Sequence, residues 1–152
     1  MLEPDLSVYA PIVDRPKMQW PENARVALWV APNVEYVDYI PAPNDGKGGF
    51  FRQVHTRTPS PDVAQFGNHD YGNRVCFWRM LEVFDHHNVK CTISLNEAVL
   101  QQFPEIVDAM VKRDYDFMSH GIYNNRFLNL LSIEEERAFF QDCKETLKRY
   151  TG

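Results

Sequence analysis

Three short apolar runs, separated by longer amphipathic stretches, organise this chain. Residues 24–32 (ARVALWVAP) are almost continuously apolar, rich in β-branched and aromatic side chains, and closed by proline. That is the pattern of a strand buried on both faces, and it delivers Asn33 and Glu35 at its end. Residues 89–96 (VKCTISLN) predict a second strand ending in the amide of Asn96, and residues 115–119 a third, buried strand that stops at a His120-Gly121 corner. Between the first two runs, Phe77, Trp78, Leu81 and Phe84 recur at helical spacing within residues 73–88, which places Trp78 and Phe84 in the core. Residues 97–113 predict two short helices around Pro104, the second with Ile106, Val107, Met110 and Val111 as its apolar stripe. Ser132 followed by Glu135 forms a capping box opening a last helix, with Ile133, Phe140, Cys143, Leu147 and Tyr150 on one face and Gly152 as its cap.

The order β-α-β-α-β-α argues for an α/β fold with a parallel sheet, right-handed crossovers and flanking helices. Prolines 4, 11, 16 and 21 break residues 1–23 into an extended N-terminal arm, so the folded part is expected over 24–152. Residues 36–72 contain four prolines and several glycines and predict a long loop, a lid candidate. In parallel sheets ligands bind beyond the carboxyl ends of the strands. Asn33, Glu35, Asn96, Ser119 and His120 all fall there, on the expectation that the first and third strands run side by side in one direction.

Composition narrows the function classes. With 152 residues, 44% hydrophobic and 24% charged, the chain can bury one core; its net charge of −5 offers no basic footprint for nucleic acid or an anionic membrane surface. No basic start followed by an apolar stretch, and no run long enough to span a bilayer, is present, so a cytoplasmic location is the expectation. Cys76, Cys91 and Cys143 are odd in number and widely spaced, which predicts reduced thiols, mostly buried.

Glu35, His120 and Asn124 form the chemical core of the reading, because a carboxylate and an imidazole can run acid-base hydrolysis of an amide or ester. A metal needs about three protein ligands. His120 and Glu35 qualify at strand ends, and His69 with Asp70, in GNHDYGN just before the helix, could complete a set or serve only as turn and capping residues. Each candidate has a plainer use. His120 could be a structural hydrogen-bond partner, His86 and His87 solvated residues at a helix end, His55 a loop residue, and Arg126 either a clamp on a substrate carbonyl or half of a surface ion pair.

HDYGNRVCFWRMLEVFDHHNVKCTISLN followed by SHGIYNNRF resembles the polysaccharide deacetylase (NodB-homology) superfamily, and within it the allantoinase-like branch. The resemblance runs from about residue 24 onward. It implies a partial (β/α) barrel of the glycoside hydrolase/deacetylase type that hydrolyses a carbon-nitrogen bond, in an N-acetylated sugar, an amide or a ureide, with carbohydrate metabolism as one setting. The family's Thr-Phe-Asp-Asp motif falls on Asn33, Val34, Glu35 and Tyr36, giving Glu35 the place of the catalytic base and Tyr36 that of a metal-binding aspartate. Its His-Ser/Thr-x-x-His motif falls on residues 120–124, so His120 matches and Asn124 replaces the second histidine. A divalent metal such as zinc thus keeps His120 as its sole matching ligand, and the cofactor expectation is either none or that metal. Asn33, Asp70, Tyr71, Asn96, Asn124 and Arg126 are the implied substrate-binding residues.

A closed barrel of this kind takes roughly 250 residues. The family's later Arg-containing loop and late histidine have no counterpart in 152 residues, and three open strands leave edges that invite self-association or pairing with a second half. The alternative to a hydrolase is therefore a non-catalytic ligand-binding or assembly module built on the same fold.

Overall fold

The structure is a computed structural model that describes residues 9–40, 61–124, 128 and 131–152. Its sheet holds three parallel strands in the order β1 (Asn33–Val34), β2 (Thr92–Leu95) and β3 (Asp116–Ser119). β2 therefore lies between the first and third strands, which are not neighbours as the sequence suggested. The shared direction holds, with Asn33 opposite Ser94, and Leu95 opposite both Val34 and Ser119. All three strands consequently end at one rim.

The apolar run before β1 differs most from expectation. Val30 and Pro32 accept backbone hydrogen bonds from Thr92 and Ser94, so pairing begins upstream of Asn33. Pro32, however, lacks the N–H a parallel ladder uses for its return bond, and the regular strand shortens to two residues. Val26, Leu28 (86%) and Trp29 (67%) are exposed rather than buried on both faces. Among the described residues β1 has a strand on one side only, and these side chains stay in solvent apart from the Trp29 indole N–H, which donates to the Thr92 hydroxyl at 3.0 Å. β3 is also an edge: Asp116, Met118 and Ser119 are exposed, while Tyr115 just before it is buried. The central strand carries the core, with Ile93 and Leu95 fully buried against Leu81, Val99, Leu100, Ile106 and Met110. Each such side chain contributes about 1.5–3 kcal/mol on burial.

Residues 63–87 form one helical column, α1 (Val63–Tyr71), a π turn (Gly72–Cys76) and α2 (Phe77–His87). The long-loop expectation holds at residues 36–40 and 61–62, which are irregular, and fails at 63–72, which are helical; residues 41–60, with His55, lie outside the described residues. Asp62 caps α1 by accepting from the Gln65 N–H at 3.1 Å. GNHDYG is thus mid-helix and offers no free helix N-terminus. Asn88, left-handed at φ 52°, ends the column. Phe77 and Leu81 face the core and Phe84 packs against it, but Trp78 is exposed because it lies about 100° round from Phe77.

Downstream, α3 (Glu97–Gln102) and α4 (Pro104–Val111, proline at the first turn) bury Ile106, Val107 and Met110, whereas Val111 is exposed. The last helix, α5 (Ile133–Thr151), opens on a reciprocal capping box between Ser132 and Glu135, and Gly152 at φ 83° closes it. Its buried stripe is Phe139, Cys143 and Thr146, with Leu147 packed alongside. Ile133, Phe140 and Tyr150 are exposed, so the stripe is rotated by about one residue from the expected one. Residues 9–23 hold two 3₁₀ turns, Ile12–Asp14 and Pro21–Asn23, and no described helix is long and apolar enough to cross a membrane. Cys91 and Cys143 are buried and Cys76 is exposed, all three free. Burial pushes the Cys91 and Cys143 thiols up to about 11 and 12.

Candidate active site

Glu35 leaves β1 at the rim and collects polar groups from three parts of the chain: the strand end, the helical column and the 120–124 turn. Its Oε1 accepts from the Asn33 amide at 3.2 Å, and its Oε2 from the Asn124 amide at 2.7 Å. His69 Nε2 stands 3.2 Å from Oε2 and His120 Nδ1 3.8 Å from Oε1, with 19% of the Glu35 side chain exposed. The backbone carbonyl of Glu35 accepts from the Asn73 amide at 2.9 Å. Four of the expected residues, Asn33, Glu35, His120 and Asn124, therefore meet.

The strand ends are tied to each other by one buried amide. Asn96 follows β2; its Oδ1 accepts from the Tyr36 N–H at 2.9 Å, and its Nδ2 donates to the carbonyls of His120 at 2.7 Å and Gly121 at 3.0 Å. The Asn124 N–H donates to the Tyr36 carbonyl and the His120 N–H to that of Leu95. Asn96 is fully buried with its amide spent on backbone, so it positions the rim instead of lining a pocket. Asp70 gives both oxygens to the Arg74 Nε at 2.9 and 2.8 Å, and Tyr71 is exposed, so neither reaches Glu35. Arg126 lies outside the described residues.

His69 and Asn73 are the contributions that sequence reasoning underrated. They sit four apart, one at the end of α1 and one in the π turn, and both contact Glu35; π turns recur at functional sites. The signal available was their helical spacing, hidden by reading GNHDYGN as a turn. His69 Nδ1 lies 2.8 Å from the Gln65 carbonyl, which can only accept. Nδ1 therefore carries a hydrogen, and the Nε2 contact with Oε2 is a hydrogen bond only when a second proton lies between them. A cavity of about 510 Å³ opens beside the pair, with Asn68 and Asn73 as polar lining and Val34, Phe77 and Met80 as apolar lining.

The metal expected from the family pattern does not fit these donors. Tyr36 turns its ring into an aromatic group with Phe66, Phe103 and Tyr123, at centroid separations of 5.8 to 6.1 Å, and burial raises its hydroxyl pKa. Asn124 points its NH₂, a donor, at Glu35. No cluster of three His, Cys, Asp or Glu side chains suited to an ion occurs among the described residues, whereas a stable zinc site needs three or four.

The polysaccharide deacetylase family model matches residues 61–152. Among solved structures, the Puue allantoinase superposes with a TM-score of 0.69 at 22% identity, over 95% of this chain and 51% of that one. A structure from Pseudomonas aeruginosa PAO1 described as a probable polysaccharide deacetylase superposes at 0.71 and 24% identity, over 92% and 49%. The chain thus spans about half the length of the structures it resembles, and what it shares with them is the (β/α) barrel fold, present here in part. No curated protein matches it. The family match takes in more than half of the residues, including those that set His69, Asn73, Asn96, His120 and Asn124 around the rim, and on that ground the chain belongs to the polysaccharide deacetylase family.

Proposed function

We propose that the chain carries the water-activating half of a carbon-nitrogen hydrolase site, acting on a small amide, ureide or N-acetylated sugar. The observation behind this is the gathering of Asn33, His69, His120 and Asn124 on the two oxygens of one reachable carboxylate. In this scheme Glu35 takes a proton from water as the water oxygen bonds to the carbonyl carbon, and the carbonyl electrons move onto its oxygen. Collapse of that intermediate breaks the C–N bond, and Glu35 returns the proton to the departing nitrogen. Asn33 and Asn124 hold the carboxylate in place, and His120 lies within reach of the developing oxyanion. Asp70 and Tyr71 are proposed substrate contacts further out, and Arg126 is proposed as a substrate contact from the sequence pattern alone. No step is assigned to a metal, since Tyr36 and Asn124 stand where the family pattern has ligands and no group of three His, Cys, Asp or Glu suited to an ion occurs among the described residues.

The test is turnover by the purified chain of allantoin and of N-acetylated chitooligosaccharides, with wild type compared to Glu35→Gln. The expected loss is about a hundredfold or more, and equal rates would defeat the proposal. A second reading, an assembly module, is favoured by the exposed Val26, Leu28 and Trp29 in the apolar run leading into β1. It predicts dimers or larger species by size exclusion with light scattering, and a monodisperse monomer counts against it.

A further inference from the structure

We propose that Glu97 is a positioning residue, which through the Ser119 hydroxyl fixes the turn holding His120 beside Glu35. This rests on the reading of His120 as a site residue.

Glu97 opens α3 directly after Asn96 and is 2% exposed. Its Oε1 accepts from the Ser119 hydroxyl at 2.6 Å, and its Oε2 is buried with no hydrogen-bond partner. A buried carboxyl left half unsatisfied costs stability, and the one hydrogen bond it makes goes to the residue just before His120. The Ser119 hydroxyl has a single hydrogen. By accepting it, Glu97 sets the rotor so that an oxygen lone pair faces the Gly121 N–H, 3.3 Å away. The Glu97 N–H donates to the Gly121 carbonyl, and that of Ala98 to Ile122. His120 is thus flanked by Ser119 and Gly121, both tied to Glu97. Gly121 adopts φ +77°, a region open to glycine, and these bonds hold it there together with the Asn96 amide on its carbonyl.

The groups around the carboxyl are Ser119, Cys143 and Asp142; desolvation raises its pKa most, with the Ser119 hydrogen bond opposing. The acceptor role survives in a neutral side chain, which makes glutamine the conservative replacement and methionine the one of similar length without an acceptor.

The experiment is NMR on the ¹⁵N-labelled 152-residue chain, reading hydrogen exchange at the Gly121 amide and the ring resonances of His120. Glu97→Gln is expected to keep both. Glu97→Met is expected to speed Gly121 exchange by about tenfold and to move the His120 ring signals toward those of a solvated imidazole. Should Glu97→Met fail to fold, Ser119→Ala removes only a hydroxyl from an exposed edge residue, with the same two changes expected. Gly121 and His120 left as in wild type by the folded Met variant or by Ser119→Ala, or disturbed equally by Gln and Met, would overturn the proposal. None of these readouts needs turnover, so a chain that hydrolyses nothing would defeat the hydrolase reading and leave this one to be decided separately.

Discussion

Glu35 and Glu97 stand just beyond the ends of adjacent parallel strands, in environments that could hardly differ more. Glu35 keeps 19% of its side chain in solvent and has a polar partner on each oxygen, from helix, strand end and the 120–124 turn. Glu97 is 2% exposed, with the Ser119 hydroxyl on one oxygen, no hydrogen bond of ordinary geometry on the other, and the Cys143 thiol alongside the carboxyl. A carboxylate that is solvated and flanked by imidazoles suits proton transfer; one that is dry and half satisfied suits structure. The same residue type at the same fold position is therefore sorted by its surroundings, and each side of this contrast can be broken separately.

The largest effect belongs to Glu35. Its change to Gln is expected to lower hydrolysis by about a hundredfold while leaving the chain folded by circular dichroism. Glu97 should behave in reverse. Because burial raises its pKa in the folded chain, that chain holds a proton the unfolded chain has already released. Its stabilising contribution is complete below the ordinary carboxylate range and is lost as pH rises through the raised folded value. Glu97→Gln is then expected to remove a slope of up to about 1.4 kcal/mol per pH unit from that window, measured by urea unfolding across pH. Ser132→Ala, at the α5 cap and remote from both carboxylates in sequence, should cost about 1 kcal/mol at every pH where Glu135 is ionised. Leu28→Ala, in the exposed run before β1, should change monomer stability by less than about 0.5 kcal/mol; a larger loss would mean that this run is covered in solution.

Local rules with a strong physical basis were legible in the sequence. The Ser132–Glu135 box and Pro104 in a first helical turn follow from capping chemistry and spacing, the strand before Asn96 from its apolar run, though not its central place, and the meeting of Asn33, Glu35 and His120 from the rule that parallel strands end at one rim, with Asn124 supplied by the family motif. What misled was information that only a tertiary partner supplies. An apolar run such as residues 24–32 reads as buried whether or not a neighbouring layer covers it, and here Val26, Leu28 and Trp29 have none among the described residues. Gly67, Gly72 and the Asn-His-Asp triplet made α1 look like a turn, though the Asp62 cap and continuity with α2 carry a helix through them. His69 went with that misreading. Glu97 was invisible because a glutamate opening a helix is ordinarily a solvated residue favoured by the dipole.

The central claim, that Glu35 activates water for attack on a carbonyl, is tested most directly by turnover in ¹⁸O-labelled water with mass analysis of the carboxyl product. The account predicts one labelled oxygen per C–N bond broken by the wild-type chain and almost none released by Glu35→Gln. Equal label release by the two proteins would contradict it.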